Sequence, residues 1–203
     1  KKLNYIARVK SLPILLLTRR DIPNVTALAG LRIATGPAHS ATFAAGELLL
    51  GGLELPFTRV AQSDAAAIEL LQAGAVDAVL LHGVEAFEGT IDAQRYHVLG
   101  LSAPQAMSDT FSPALIEAQT LKGLADGQGS LETVSTPLLL AVYNWPKNSA
   151  KAEKLKQFSK AYFELQATTE DAPELSATIP GWERHETSKQ ALQALNTSPP
   201  EIQ

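Results

Sequence analysis

Residues 32–50, RIATGPAHSATFAAGELLL, hold the side chains best suited to meet a ligand. Gly36 lets the backbone come close after a strand-like run. Ser40, with Thr42, brings hydroxyls to the start of a helix-like run, and His39 and Ala41 lie between and beside them. A helix N-terminus offers unpaired N–H groups and the positive end of its dipole. That combination suits a carboxylate or another small anion. The alternative is that Ser40 only caps the helix. The segment alone leaves both open. His82 and Gly83 close the run DAVLLHGVEAF at 77–87 and form a second candidate, because an imidazole can donate to an anion. A structural or surface role is the alternative for a lone histidine.

Other chemistries find less support. No Lys follows the glycine as in a nucleotide phosphate loop, and one glycine does not make a dinucleotide fingerprint. His39-Ser40 invites a nucleophile reading, but Ala38 and Thr42 stand where the elbow motif wants small residues, usually glycines. A general base would have to come from His82 or His97, and nothing in the sequence places either. The four histidines lie far apart, without metal-ligand spacing. The absence of cysteine excludes thiolate zinc sites, iron–sulfur clusters, cysteine nucleophiles and disulfides. Asp64 and Glu69 read as helix residues, Glu85 and Glu88 as a solvated turn, and no acid/base pair emerges. The expectation is a chain with no catalytic residue, no metal and no cofactor.

The elements that would position these residues alternate. Strands are expected at 5–9, 14–18, 31–35, 56–61, 76–81 and 96–101. A helix starts at Ser40 and ends at Gly51-Gly52, with Ala41, Ala44, Ala45 and Leu48 on one face. Ser63 and Asp64 open a second helix that stops at Gly74. Residues 114–121 are expected to be helical, and 134–143 form a strand interrupted by Pro137. A helix from about Ala150 carries an inner stripe of Ala152, Leu155, Phe158, Tyr162 and Leu165. A last helix covers 187–195. This order implies an α/β fold with a mainly parallel sheet flanked by helices.

The 203 residues are 45% hydrophobic, with a formal charge of -4. A nucleic-acid partner or an anionic membrane is not favoured, since both need clustered Lys and Arg. The basic run at 147–160 reads as a solvated helix face. No apolar segment approaches membrane-span length. Lys1 stands where an initiator Met would, so the sequence reads as a processed or trimmed chain.

The ordered segments resemble a known family. PILLLTRRDIPNVTALAGLRIATGPAHSAT is similar to the second lobe of type II periplasmic solute-binding proteins, above all the TAXI group of TRAP-transporter receptors. Those chains run from a buried strand through "(I/V)xxVxDLxGKxV" to "GxxGSGT" at a helix start. VAQSDAAAIELLQAGAVDAVLLHG and ADGQGSLETVSTPLLLAVY continue the likeness, which spans roughly 13–165. No single motif is diagnostic; the order is what is specific. The resemblance implies a periplasmic-binding-protein-like lobe at 20–133. Residues 1–19 and 134–203 would be crossover strands and C-terminal helices that pack on a first lobe or a partner. It implies a non-catalytic receptor for a small organic acid or amino acid, located in the periplasm or otherwise outside the cytoplasm. Ser40, Ala41 and Thr42 would meet the carboxylate, with His82 and Gly83 near the cleft. Its partners would be membrane transporter subunits, or a protein covering the C-terminal helix. Two departures stand out: the motif's second small residue is His39 here, and its following glycine is Ala41. A first lobe of the usual domain size, roughly 80–100 residues, would have no counterpart here.

Three readings follow. One is a solute-binding protein or a fragment of one. Another is the same lobe reused as a sensory or protein-interaction domain of a larger envelope protein. An enzyme on this fold ranks last.

Overall fold

A computed structural model describes residues 2–85, 91–127, 129–169 and 175–197. The chain divides into two compact units, Leu12–Thr136 on the one hand and Lys1–Ser11 with Pro137–Gln203 on the other. In chain order the elements are β1 (Leu3–Arg19), β2 (Arg32–Ala34), α1 (Ala41–Gly52), β3 (Thr58–Val60), α2 (Asp64–Gln72), β4 (Ala78–His82) and β5 (Tyr96–Gly100). β6 (Ser112–Glu117), β7 (Ser130–Tyr143), α3 (Ala150–Gln166) and α4 (Glu186–Thr197) follow. Among the described residues the strand order is β3-β2-β4-β1-β7-β6, with β5 also pairing β1. The fold is α/β, a central sheet flanked by helices.

β3, β2 and β4 pair in parallel. β1 runs antiparallel to β4 and β5, and β6 antiparallel to β7. The sheet is therefore mixed rather than mainly parallel. The helices α1 and α2 cross over between β2, β3 and β4, which is what parallel neighbours require. No crossover helix leads into β1, so it is free to run the other way.

In unit Leu12–Thr136, the apolar run of β1 is buried on both faces. Leu15 and Leu17 point into one cluster with Ala67 and Leu71 of α2. Ile14 and Leu16 point into another with Ala45, Leu49 and Leu50 of α1. Alternate residues of a strand serve opposite layers, so a strand covered on both sides reads as continuous Ile/Leu. The buried face of α1 is Thr42, Ala45, Gly46, Leu49 and Leu50, not the expected Ala41, Ala44 and Leu48. Leu48 is 44% exposed. The helix is apolar almost all round, so its spacing did not reveal which side faces the sheet; Gly46 settles it by lying against Thr35 and Leu80.

The two strands expected at 5–9 and 14–18 are one, β1, running through Pro13. The β4 ladder begins at Ile14, opposite the last residue of β4, His82. Pro13 accepts from the Gly83 amide beyond that end, and its missing N–H costs no ladder bond. The helix expected at 114–121 is the strand β6 followed by a 3-10 turn over Ala118–Leu121. Ala, Leu and Glu favour a helix weakly, and pairing with β7 overrides them. β7 starts at Ser130, and Pro137 falls past Ser135, the last residue paired with β6.

β1 changes partner within this unit. Where β5 ends, Thr133 of β7 takes its place: the Thr133 hydroxyl donates to the Ile14 carbonyl and accepts from the Leu101 amide. Gly100 makes the exchange possible. A Cβ there would stand 1.8 Å from the Glu132 carbonyl oxygen. Gly100→Ala should therefore force β5 and β7 apart and cost about 1–3 kcal/mol, as overpacking does. Urea unfolding would measure it, and an unchanged midpoint would contradict this account of the junction.

At the opposite end of the sheet, Asp77 precedes β4 and is buried. Its carboxylate accepts from the Arg32 amide at 3.0 Å, from Arg32 Nε at 3.0 Å and from an Arg19 guanidinium nitrogen at 2.9 Å. The bonds from Arg32 and Arg19 hold its pKa down at about 2, against the opposing effect of burial. A depressed carboxylate stabilises the fold above its unfolded pKa and loses that stabilisation as pH falls through the folded value. The contribution here is about 2 kcal/mol, lost between about pH 4 and pH 2. Asp77→Asn should lower stability by about that much at pH 7, with the gap to the wild type closing as pH falls toward 2. Denaturant titrations at several pH values would show it; a gap that persists at pH 2 would refute the electrostatic origin.

In the unit of Lys1–Ser11 and Pro137–Gln203, Tyr5 is buried and bridges to Arg184, whose guanidinium lies 4.7 Å from the ring centroid. Ile6, Ala7, Phe163 and Ala191 form the core. The inner face of α3 is Ala152, Ser159 and Phe163, with Leu155 and Tyr162 half-buried. Phe158 and Leu165, expected inside, are 46% and 66% exposed. The reason is polar: the Ser159 hydroxyl pairs with that of Thr187 at 2.9 Å, which turns this face of α3 toward α4.

Candidate carboxylate-edge binding site

The strand register brings the candidate residues to one edge. Ala34 pairs with Val60 and Val79 in parallel ladders. β4 and β5 are both antiparallel to β1, with Leu15 opposite Leu81 on one side and Gly100 on the other. The carboxyl ends of β2, β3, β4 and β5 therefore share an edge, where an open α/β sheet presents its helix N-termini.

Gly36 turns the chain there with φ +80°, a region that favours glycine. A Cβ on it would stand 2.7 Å from Ser40 Oγ and 2.8 Å from Thr42 Cβ, so the turn is folded tightly onto the start of α1. Ser40 is the N-cap, and its hydroxyl accepts from the Phe43 amide at 3.0 Å. The capping role is thus real. The first intrahelical bond runs from Ala44 to the Ser40 carbonyl, which leaves the Ala41 and Thr42 amides without intrahelical acceptors. Ala41 is exposed and Thr42 buried. Arg59 on β3 steadies this turn: its guanidinium lies 4.4 Å from the Phe43 ring centroid and pairs with Glu47. His39 is exposed and adopts φ 67°. Its backbone thus lies in the left-handed region that favours glycine.

His82 ends β4, and its Nε2 lies 2.6 Å from the Thr136 hydroxyl. Burial pushes the His82 pKa below its ordinary value, opposed by the charge of Asp64. Burial likewise raises the Asp64 carboxyl, opposed by His82. Asp64 opens α2 and so lies at the same edge. Gly83 donates to the Pro13 carbonyl, and the Glu85 carboxylate reaches back over it. Glu88 lies outside the described residues. His97 is at the other edge: only 2% exposed, it is held by Asp126 at 2.8 Å and by the Ile22 carbonyl at 2.9 Å. The pairing of His97 with Ser40 as base and nucleophile is therefore not available, and Ser40 is engaged as a cap.

Reading the sequence missed Asp64, Thr136 and Thr35 at this edge. Asp64 carried a signal, since it follows a strand as Ser40 does. Thr136 comes from a distant segment and carried none. Thr35 is fully buried, and its hydroxyl has no hydrogen-bond partner among the described residues.

No protein-family model matches the chain, and no curated protein sequence does. Among solved structures it is similar to the CcmR regulatory domain of Synechocystis PCC6803 in complex with 2-PG. That match has 15% identity and TM-score 0.46, covering 85% of this chain and 69% of that one. A TctC solute-binding protein from Polaromonas matches at 13% and TM-score 0.43, covering 96% of this chain and 60% of that one. The arginine-, lysine-, histidine-binding protein ArtJ from Geobacillus stearothermophilus matches at 16% and TM-score 0.42, covering 85% and 64%. The chain thus spans 60% of the TctC protein's length and 69% of the CcmR domain's.

His39→Gly should raise stability by about 0.5–1 kcal/mol by relieving the left-handed backbone. Ser40→Ala should lower it by about 1 kcal/mol through the lost cap. Both are read from urea midpoints; a destabilised His39→Gly would show that the imidazole itself holds the turn.

Proposed function

We propose that residues 12–136 form the ligand-binding lobe of a non-catalytic solute-binding protein, and that the ligand is a small amino acid. The site would comprise Gly36, His39, Ser40, Ala41, Thr42, His82 and Gly83, together with Asp64. The observation that carries this reading is the meeting of two opposite chemistries at one sheet edge. The free amides at the start of α1 suit a carboxylate. Asp64 suits an ammonium. A simple organic acid would satisfy the first and be repelled by the second. The ordered motifs resembling the TAXI group support delivery to a TRAP-type transporter outside the cytoplasm. Among the described residues no helix is long and apolar enough to cross a membrane.

The test is thermal unfolding against amino acids, each paired with the matching acid that lacks the amine. A ligand at 100 times its Kd adds about 2.7 kcal/mol of stability. The expected result is a shift with one or more amino acids and none with the deaminated partners. Asp64→Asn should abolish the shift, and so should Thr42→Trp. Equal shifts with both members of a pair would remove the ammonium half of the proposal. No shift from any ligand would favour a lobe reused for protein contacts.

A further inference from the structure

A cavity of about 800 Å³ opens on the far side of β1 from His82, where β5 leaves the sheet. Its size falls in the range of small-molecule sites, roughly 300–1,000 Å³. Leu101, Phe111 and Val134 line it and are buried members of the core. Ser102, Gln105 and Ser108 supply hydroxyl and amide groups from the loop after β5. Glu132 is the one ionisable residue among those lining it.

The walls are held in place without an occupant. Thr133, also at the cavity, bonds to both Ile14 and Leu101. Gly100 lies directly against the Glu132 carbonyl. On the loop side, Pro104 and Met107 pack against Gly52 at the end of α1. A preformed apolar site spends little of its binding energy on ordering.

We infer that this cavity binds a second small molecule, one with an apolar ring-sized body and an uncharged or cationic head. The apolar wall takes the body. The hydroxyls and amide of the loop orient a hydrogen-bonding head. Glu132, with no cationic side chain among the lining residues, disfavours an anionic one. The inference does not rest on the amino-acid reading, because none of the residues proposed for that ligand lines this cavity.

A matched pair of dyes tests it. N-phenyl-1-naphthylamine is uncharged, and 8-anilino-1-naphthalenesulfonate is the same skeleton with a sulfonate. Fluorescence titration of the whole chain should show saturable one-to-one binding of the uncharged dye, at least tenfold tighter than the sulfonate. Ala114→Trp should fill the cavity and abolish binding of the uncharged dye. Ser108→Trp should do the same from the exposed loop, and serves if the first variant does not fold. Glu132→Gln should narrow the gap between the dyes. Ser40→Ala should leave both titrations unchanged. Non-saturable binding of the uncharged dye, tighter binding of the sulfonate, or full binding in a folded Trp variant would each overturn the inference.

Discussion

The exchange of partners along β1 is the constraint on which the unit Leu12–Thr136 depends. β5 and β7 both claim the same edge of β1, and a sheet cannot give one edge to two strands. At the junction the Ile14 carbonyl and the Leu101 amide would lose their ladder partners. The Thr133 hydroxyl answers both, as donor to one and acceptor from the other. A buried backbone group left unpaired costs about 1–3 kcal/mol, so one side chain here offsets two such costs. A valine of the same shape could fill the space but could do neither. The junction also sets geometry. It fixes where β5 ends, and hence where the loop carrying Ser102, Gln105 and Ser108 begins.

The two ends of the sheet are built by different electrostatic rules. At the amino end two carboxylates are held by side chains from other segments. Asp77 is held by Arg32 and Arg19, and Asp126 by His97 and Arg20. These pairs link segments distant in sequence: 19, 32 and 77 in one set, 20, 97 and 126 in the other. They tie the start of β4 and β5 to the end of β1, and for the buried Asp77 the cost of burial is met by bonds within the chain. This end is a fastening.

Much of this was legible in the residues, and the misreadings share a physical cause. The cap at Ser40 was readable because it rests on local chemistry: Ser40 accepts from Phe43 as its type and position imply, whereas Ser63 marks the start of α2 without a side-chain cap bond. Helix faces were less so. α1 has too little contrast between its sides, and the buried face of α3 includes Ser159, a residue that pattern reading assigns to solvent. Its burial depends on Thr187, 28 residues away. β6 failed for the same reason: its strand state comes from β7, not from Ala114 or Leu115 themselves. The edge residues divide likewise. Gly36, Ser40 and His82 sit at strand ends that the sequence marks, whereas Thr136 reaches His82 only through the folding of a strand 54 residues on.

The carboxyl end lacks the compensation seen at the other. For Asp64 and His82 burial is the dominant influence, and each relieves the other only in part. Among the described residues no guanidinium pairs with Asp64, and a half-buried acid so placed weakens the fold relative to an apolar residue of similar size. Thr35 adds an unanswered hydroxyl close by. His39 adds a left-handed backbone that a glycine would hold more easily. A buried hydroxyl left unpaired among the described residues is a cost to folding, while Asp77 at the other end of the same sheet is a buried carboxylate met by three bonds. Such a cost is recovered when something outside the chain supplies the missing partners, because a group left short of bonds in the free protein gains most from a ligand that completes them. The contrast between the two ends therefore favours the carboxyl edge for the proposed ligand, separately from any likeness to other proteins.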